Sequence, residues 1–90
     1  MLSFPSDAEI HWSEVKNQRL KKTRGVSFQN ILEGRVIEIV VHPSREKQRI
    51  ALIAYKQYIW VVPFIEQGRK VFLKTLYPSR KYTKSHGRRT

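Results

Sequence analysis

The chain has 90 residues, with 18 Lys and Arg against 7 Asp and Glu, a formal net charge of +11. That length allows one domain, expected to span 1–90, and one small core. The positive excess is larger than solubility needs and points to a polyanionic partner, above all nucleic acid, although an acidic protein fits the charge equally well.

Cysteine is absent, which excludes disulfides, thiolate catalysis and Cys-based zinc sites. The start Met1-Leu2-Ser3-Phe4-Pro5-Ser6-Asp7 lacks the basic and apolar runs of a signal peptide, and no apolar run approaches membrane-spanning length. A cytoplasmic protein with no membrane association is expected.

Residues 1–9 read as a flexible lead-in. Ser13 is the preferred first N-cap, with Glu14 in the first helical turn, although Ser6-x-x-Glu9 is a rival capping box. The body Glu14 to Thr23 lacks Gly and Pro. Cations crowd its end, where the helix dipole favours them, and Gly25 supplies the C-cap. Its apolar face is thin: Val15, Leu20 and Trp12. Ser27 caps a second short helix carrying Phe28, Ile31 and Leu32, which Gly34 stops.

From Arg35 the pattern becomes β-branched. Strands are expected at 35–41, 48–55, 58–65 and 69–76, joined by the loop 42–47, the turn Lys56-Gln57 and the turn Glu66-Gln67-Gly68. Short connections imply an antiparallel meander. Pro63 cannot donate to a ladder, so a bulge or an edge is expected there. Both faces of the middle strands are apolar: Tyr58, Trp60, Val62 and Phe64 against Ile59, Val61 and Ile65. Two short helices cover one face only, so either the C-terminal segment or a partner must cover the other. The fold class is therefore α+β: two N-terminal helices on a four-stranded antiparallel sheet, with a basic C-terminal segment. Residues 85–90 are expected to be a flexible tail.

Conventional catalytic sets are missing. His11, His42 and His86 are scattered, carboxylates do not pair, and no Gly-rich phosphate loop appears, so neither a metal nor a cofactor is expected. RNA cleavage needs none of these, because the substrate carries its own 2′-hydroxyl nucleophile. It requires cations for the charge on phosphorus and groups that move protons. Lys74, Arg80 and Lys81 supply cations, and Tyr77 and Tyr82 supply phenols. Tyrosine can alternatively stack on an unpaired base. Trp12 and Trp60, each beside apolar neighbours, read as core.

Ile10-His11-Trp12-Ser13, Lys16-Asn17 and Lys21-Lys22-Thr23-Arg24-Gly25-Val26-Ser27-Phe28, followed by Tyr77-Pro78-Ser79-Arg80-Lys81-Tyr82-Thr83-Lys84, resemble the two ends of BrnT-type toxins. The resemblance implies the RelE-like fold of the RelE/ParE toxin superfamily. It also implies the toxin of a toxin–antitoxin system, a metal-independent endoribonuclease that inhibits translation and growth. Its partners would be RNA, a cognate antitoxin encoded beside it and, through that complex, operator DNA. Arg80 and Lys81 fall on the family's basic pair, Trp12, Lys16 and Asn17 on its helix motif, and Gly25 on its turn. Ser13 stands where the family usually has Asp, and Arg24 where it usually has His.

The candidate catalytic residues are Arg80, Lys81, Tyr77 and Lys74. The candidate RNA-binding residues are Lys16, Lys22, Arg24, Tyr82 and Lys84. Because Arg stays charged, Arg24 can hold phosphate but cannot replace a proton-transferring His. The alternative reading is a non-catalytic basic module that binds nucleic acid or ribosomes. A third is a domain that holds an acidic protein on its second apolar sheet face.

Overall fold

A computed structural model describes residues 8–41, 44 and 47–87, with side chains described only as far as Lys84. Its elements run β1 Glu9–Trp12, α1 Glu14–Arg24, α2 Phe28–Ile31, β2 Arg35–Val41, β3 Gln48–Tyr55, β4 Tyr58–Gln67, β5 Lys70–Leu73, β6 Tyr77–Pro78 and α3 Arg80–Gly87. The fold class is mixed α+β, as expected. The element count differs: an additional N-terminal strand, a divided fourth strand and a third helix join the expected set. Most of the lead-in and the end of the tail lie outside the described residues, as does much of the loop 42–47. Residues 85–87, expected in the flexible tail, form the last turn of α3.

Local capping explains α1 and α2. The Ser13 side chain accepts from the Lys16 backbone N–H, and Gly25 closes α1 at φ 74°, a conformation that favours glycine. Ser27 and Asn30 form a reciprocal capping box at the start of α2. The inner face of α1 is not the one its apolar residues suggest. Leu20 is buried, but Val15 is 72% exposed and the amide Asn17 occupies the second buried position. Asn17 and Leu20 are three residues apart and share a face, whereas Val15 lies off it.

The sheet order is β1-β5-β4-β3-β2, with β6 also paired to β4. The pairs β2·β3, β3·β4 and β4·β5 form the expected meander. β1 adds in parallel beside β5, matching Ile10 to Val71 and Trp12 to Leu73. Nothing local in Glu9-Ile10-His11-Trp12 announces a strand. Its ladder partner lies at the far end of the chain, so pairing rather than propensity makes it.

Pro63 sits inside the long strand β4, and the reason is positional. Its carbonyl accepts from the Lys74 N–H at 2.9 Å, so the side of Pro63 without an N–H also faces that edge. Along this edge the ladder is interrupted. β5 pairs with Phe64–Gln67 and β6 with Trp60–Val61, leaving Lys74–Leu76 between them. The missing donor therefore falls in the gap between β5 and β6, and the other edge keeps its full pairing with β3. The expected strand at 69–76 is divided for this reason.

The two sheet faces are covered separately. Phe28, Ile31, Ala51, Ile53, Trp60, Val62, Phe64, Val71, Leu73 and Leu76 form the larger cluster beneath α1 and α2. Leu52, Ile59 and Val61 form a smaller cluster on the opposite face, against which Tyr82 of α3 packs. The C-terminal segment thus covers part of the second face. Tertiary bonds hold it there: the Ile59 N–H donates to the Thr83 hydroxyl at 2.9 Å, and the Ser79 N–H donates to the Ile59 carbonyl at 2.9 Å.

Candidate functional site

The closing segment gathers its cations through a helix. Ser79 is the N-cap of α3: its hydroxyl accepts from the Tyr82 N–H at 3.2 Å, and its carbonyl accepts from the Thr83 N–H at 3.0 Å. At about 100° per residue, Arg80, Lys81 and Lys84 fall on one side of the helix and Tyr82 on the other. Arg80, Lys81 and Lys84 are exposed, while Tyr82 is half-buried against the second cluster. The Lys81 Nζ stands 5.9 Å from the centre of the Tyr82 ring.

The electrostatics of this helix start are unusual. The first turn of α3 carries no acid. It carries Arg80 and Lys81, although the helix dipole places its own partial positive charge there. Two sources of positive potential therefore add, and stability alone would favour Asp or Glu at these positions. An anion in front of Ser79-Arg80-Lys81 relieves that conflict.

Tyr77 pairs with Val61 in β6 and is 39% exposed on the face that α3 partly covers. Lys74 is half-buried in the segment between β5 and β6. Both lie along the β4 edge, Tyr77 opposite Val61 and Lys74 bonded to Pro63.

The α1 candidates lie elsewhere. α1 contributes Leu20 to the larger cluster, whereas Tyr82 of α3 belongs to the smaller one, so the two basic sets ride on elements covering opposite faces. Lys22 and Arg24 are exposed in the last turn of α1, where the dipole favours cations, so their positions have a stabilising reason of their own. Lys16 is half-buried.

Trp12 and Asn17, the other members of the helix motif, do architectural work. The Trp12 ring stacks on Phe28 with centroids 5.6 Å apart. The Asn17 Oδ1 accepts from the buried Phe28 N–H at 2.7 Å, and its Nδ2 donates to Gln29 Oε1 at 2.7 Å. Asn17 thereby clasps the start of α2 to α1. Beside it, Glu14 accepts from the Gln18 amide at 2.7 Å and from the Trp12 indole at 3.1 Å. Those bonds, Gln18 first and then Trp12, hold the Glu14 carboxyl below the usual carboxylate range against the opposing effect of desolvation, with the Asn17 amide, 3.4 Å away, adding least.

Sequence reasoning places no site at the β3–β4 hairpin, yet aromatic and basic side chains converge there. Tyr55 and Tyr58 are directly paired across Lys56-Gln57, and both rings are half-buried at the margin of the larger cluster. The Lys56 Nζ lies 5.6 Å from the Tyr55 ring centre. The signal available in sequence is the repeat Tyr-Lys-Gln-Tyr across a two-residue turn.

Among the described residues, no group of three His, Cys, Asp or Glu side chains could hold a metal ion. No helix among them is long and apolar enough to cross a membrane.

No protein-family model and no curated protein matches the sequence. The structure is similar to the 1.1 Å crystal structure of the Brucella abortus ribonuclease toxin BrnT, with a TM-score of 0.54 and 19% sequence identity over 80% of this chain and 96% of that one. The chain therefore has the fold of a BrnT-type toxin.

Proposed function

We propose that this chain is the toxin of a toxin–antitoxin pair, an endoribonuclease acting on cellular RNA in the cytoplasm without a metal, and so arresting translation and growth. The observation that carries the reading is the first turn of α3, where Arg80 and Lys81 add their charge to the positive end of a helix. The shared fold with a ribonuclease toxin supports it.

In this reading the RNA 2′-hydroxyl attacks the adjacent phosphorus, the new 2′-O–P bond forms and the P–O5′ bond breaks. The products are a 2′,3′-cyclic phosphate and a 5′-hydroxyl. Arg80 and Lys81 hold the phosphate and neutralise the charge that builds on its oxygens. Tyr77 and Lys74 serve the proton transfers, one from the 2′-hydroxyl and one to the leaving oxygen. Lys84 continues the phosphate track along α3. Tyr82 fixes that helix to the sheet and supplies a ring edge to RNA. Lys16, Lys22 and Arg24 hold more distant phosphates. An antitoxin encoded alongside silences the enzyme, and the complex of the two binds its own operator DNA.

One observation favours a second reading, that of a non-catalytic RNA- or ribosome-binding module: Arg24 stands where the resembled toxins carry His, and Arg cannot exchange a proton. The two readings separate in one experiment. Purified protein is incubated with RNA in the presence of a chelator, beside an Arg80→Ala/Lys81→Ala variant. Cleavage to cyclic-phosphate ends by the wild type, lost in the variant, is expected. Binding without cleavage supports the second reading instead. Induction in bacteria, alone and with the neighbouring gene, tests the pair: growth arrest relieved by co-expression is expected, and unimpeded growth under verified expression would sink the toxin reading.

A further inference from the structure

We infer that the β3–β4 hairpin tip, Tyr55-Lys56-Gln57-Tyr58, is a contact surface for single-stranded RNA, with the two tyrosine rings taking unpaired bases and Lys56 taking phosphate. The inference rests on the proposed function and adds a surface to it.

Three observations point to this surface. Tyr55 and Tyr58 face each other across the turn on the α1 and α2 side of the sheet, each with part of its ring open to solvent. Tyr58 is braced from below by Trp60, edge-on at 6.5 Å, and the Trp60 ring is itself buried. A braced, half-exposed ring offers a flat π surface at little entropic cost, which is what sequence-tolerant base stacking uses. The partly open pair also stands beside the charge of Lys56, over the Tyr55 ring.

The turn itself carries the second observation. Lys56 and Gln57 both have positive φ, 51° and 64°, the geometry of a type I′ turn. Such turns strongly favour Asn-Gly, and a long side chain in that region is strained. Lys56 is thus held where folding alone would select another residue, as at sites where strain serves a function.

Position is the third. The Ser79 N–H donates to the Ile59 carbonyl, so the start of α3 is fixed one residue from Tyr58 and Arg80 follows directly. The hairpin tip and the basic first turn of α3 are therefore neighbours at one end of the sheet. The tyrosine rings face the α1 and α2 side while α3 covers the other, so RNA held at Arg80 and Lys81 reaches the rings by passing around the β4 edge at the tip.

The test uses a fluorescein-labelled oligouridine RNA and an RNA duplex of equal length, with affinity measured by anisotropy over a salt series and cleavage measured in parallel. Tyr58→Leu and Tyr55→Leu keep apolar bulk and remove the ring. Each should weaken single-stranded binding about tenfold while leaving duplex binding nearly unchanged, and the Phe replacements should restore it. The double variant Lys56→Asn/Gln57→Gly relaxes the turn, so misfolding cannot explain its behaviour. It should melt at higher temperature than wild type yet bind single strands more weakly, with its salt slope shallower by about 0.7. Folded Leu variants that bind oligouridine as wild type does, or that lose duplex binding equally, overturn the inference while leaving the ribonuclease reading intact. Wild-type protein that binds single strands through the tip but cleaves nothing sinks the ribonuclease reading and supports the tip. Wild-type protein that binds no RNA overturns both.

Discussion

Replacing Asn17 with Ala should unfold the N-terminal half of the molecule before anything else. Asn17 is 2% exposed and holds two short bonds, from the Phe28 N–H to its Oδ1 and from its Nδ2 to Gln29. Phe28 is the first residue of α2, so its N–H has no partner within that helix. With Asn17 truncated that donor is buried and unpaired, at a cost of about 1–3 kcal/mol. Gln29 is exposed and regains water, so its share is about 0.5–1 kcal/mol. The sum, about 1.5–4 kcal/mol, is a large fraction of the ~5–13 kcal/mol expected for a chain of this size. It corresponds to a fall in Tm of about 8–20 °C. Thermal unfolding followed by circular dichroism measures it, with Gln29→Ala as the companion that breaks only the outer bond. A Tm within about 2 °C of wild type, or a Gln29→Ala variant equally damaged, would refute the reasoning that the buried Phe28 donor dominates.

Other outcomes follow from the same structure. Gly34→Ala would bring its Cβ to 2.6 Å from the Ala54 carbonyl and 2.7 Å from Ile53 Cγ2, so β2 must shift away from β3; a loss of about 2 kcal/mol or more is expected in chemical denaturation. Thr83→Val removes the acceptor of the Ile59 N–H and should cost about 1–2 kcal/mol, with faster hydrogen exchange at that amide and in α3. The lowered pKa of Glu14 means that its contribution is fully present above the unfolded carboxylate value and is lost as pH falls through the folded one. Glu14→Gln should therefore flatten the dependence of Tm on pH in the acid range, below about pH 4.5, and a slope identical to wild type would contradict it.

The apolar second face of the sheet is the feature that links the fold to the candidate site. Left open, Leu52, Ile59 and Val61 would form a sticky surface. α3 closes part of it, and in doing so carries Arg80, Lys81 and Lys84 to the outside of the same helix. Packing on one side of α3 thus fixes the charge on the other. The concentration of positive charge on the outside of this segment is a consequence of how the core is completed.

Much of this was legible in the linear order of residues because its causes are local. Ser13, Gly25 and Ser27 act on backbone groups within a few positions, so α1 and the start of α2 follow from them. The β-branched runs specify β2 to β4, and their two-sided hydrophobicity announces that something must cover the second face. The net charge of +11 is likewise a property of the sequence alone. Only the tertiary structure decided the rest, because the deciding bonds join distant residues. β1 exists through Val71 and Leu73, and the fourth strand divides where Pro63 withholds a donor. Asn17 rather than Val15 faces inward because the Phe28 N–H needs an acceptor. The sequence Arg80-Lys81-Tyr82-Thr83 becomes a docked helix because Ile59, far earlier in the chain, offers its N–H to Thr83 and its carbonyl to Ser79.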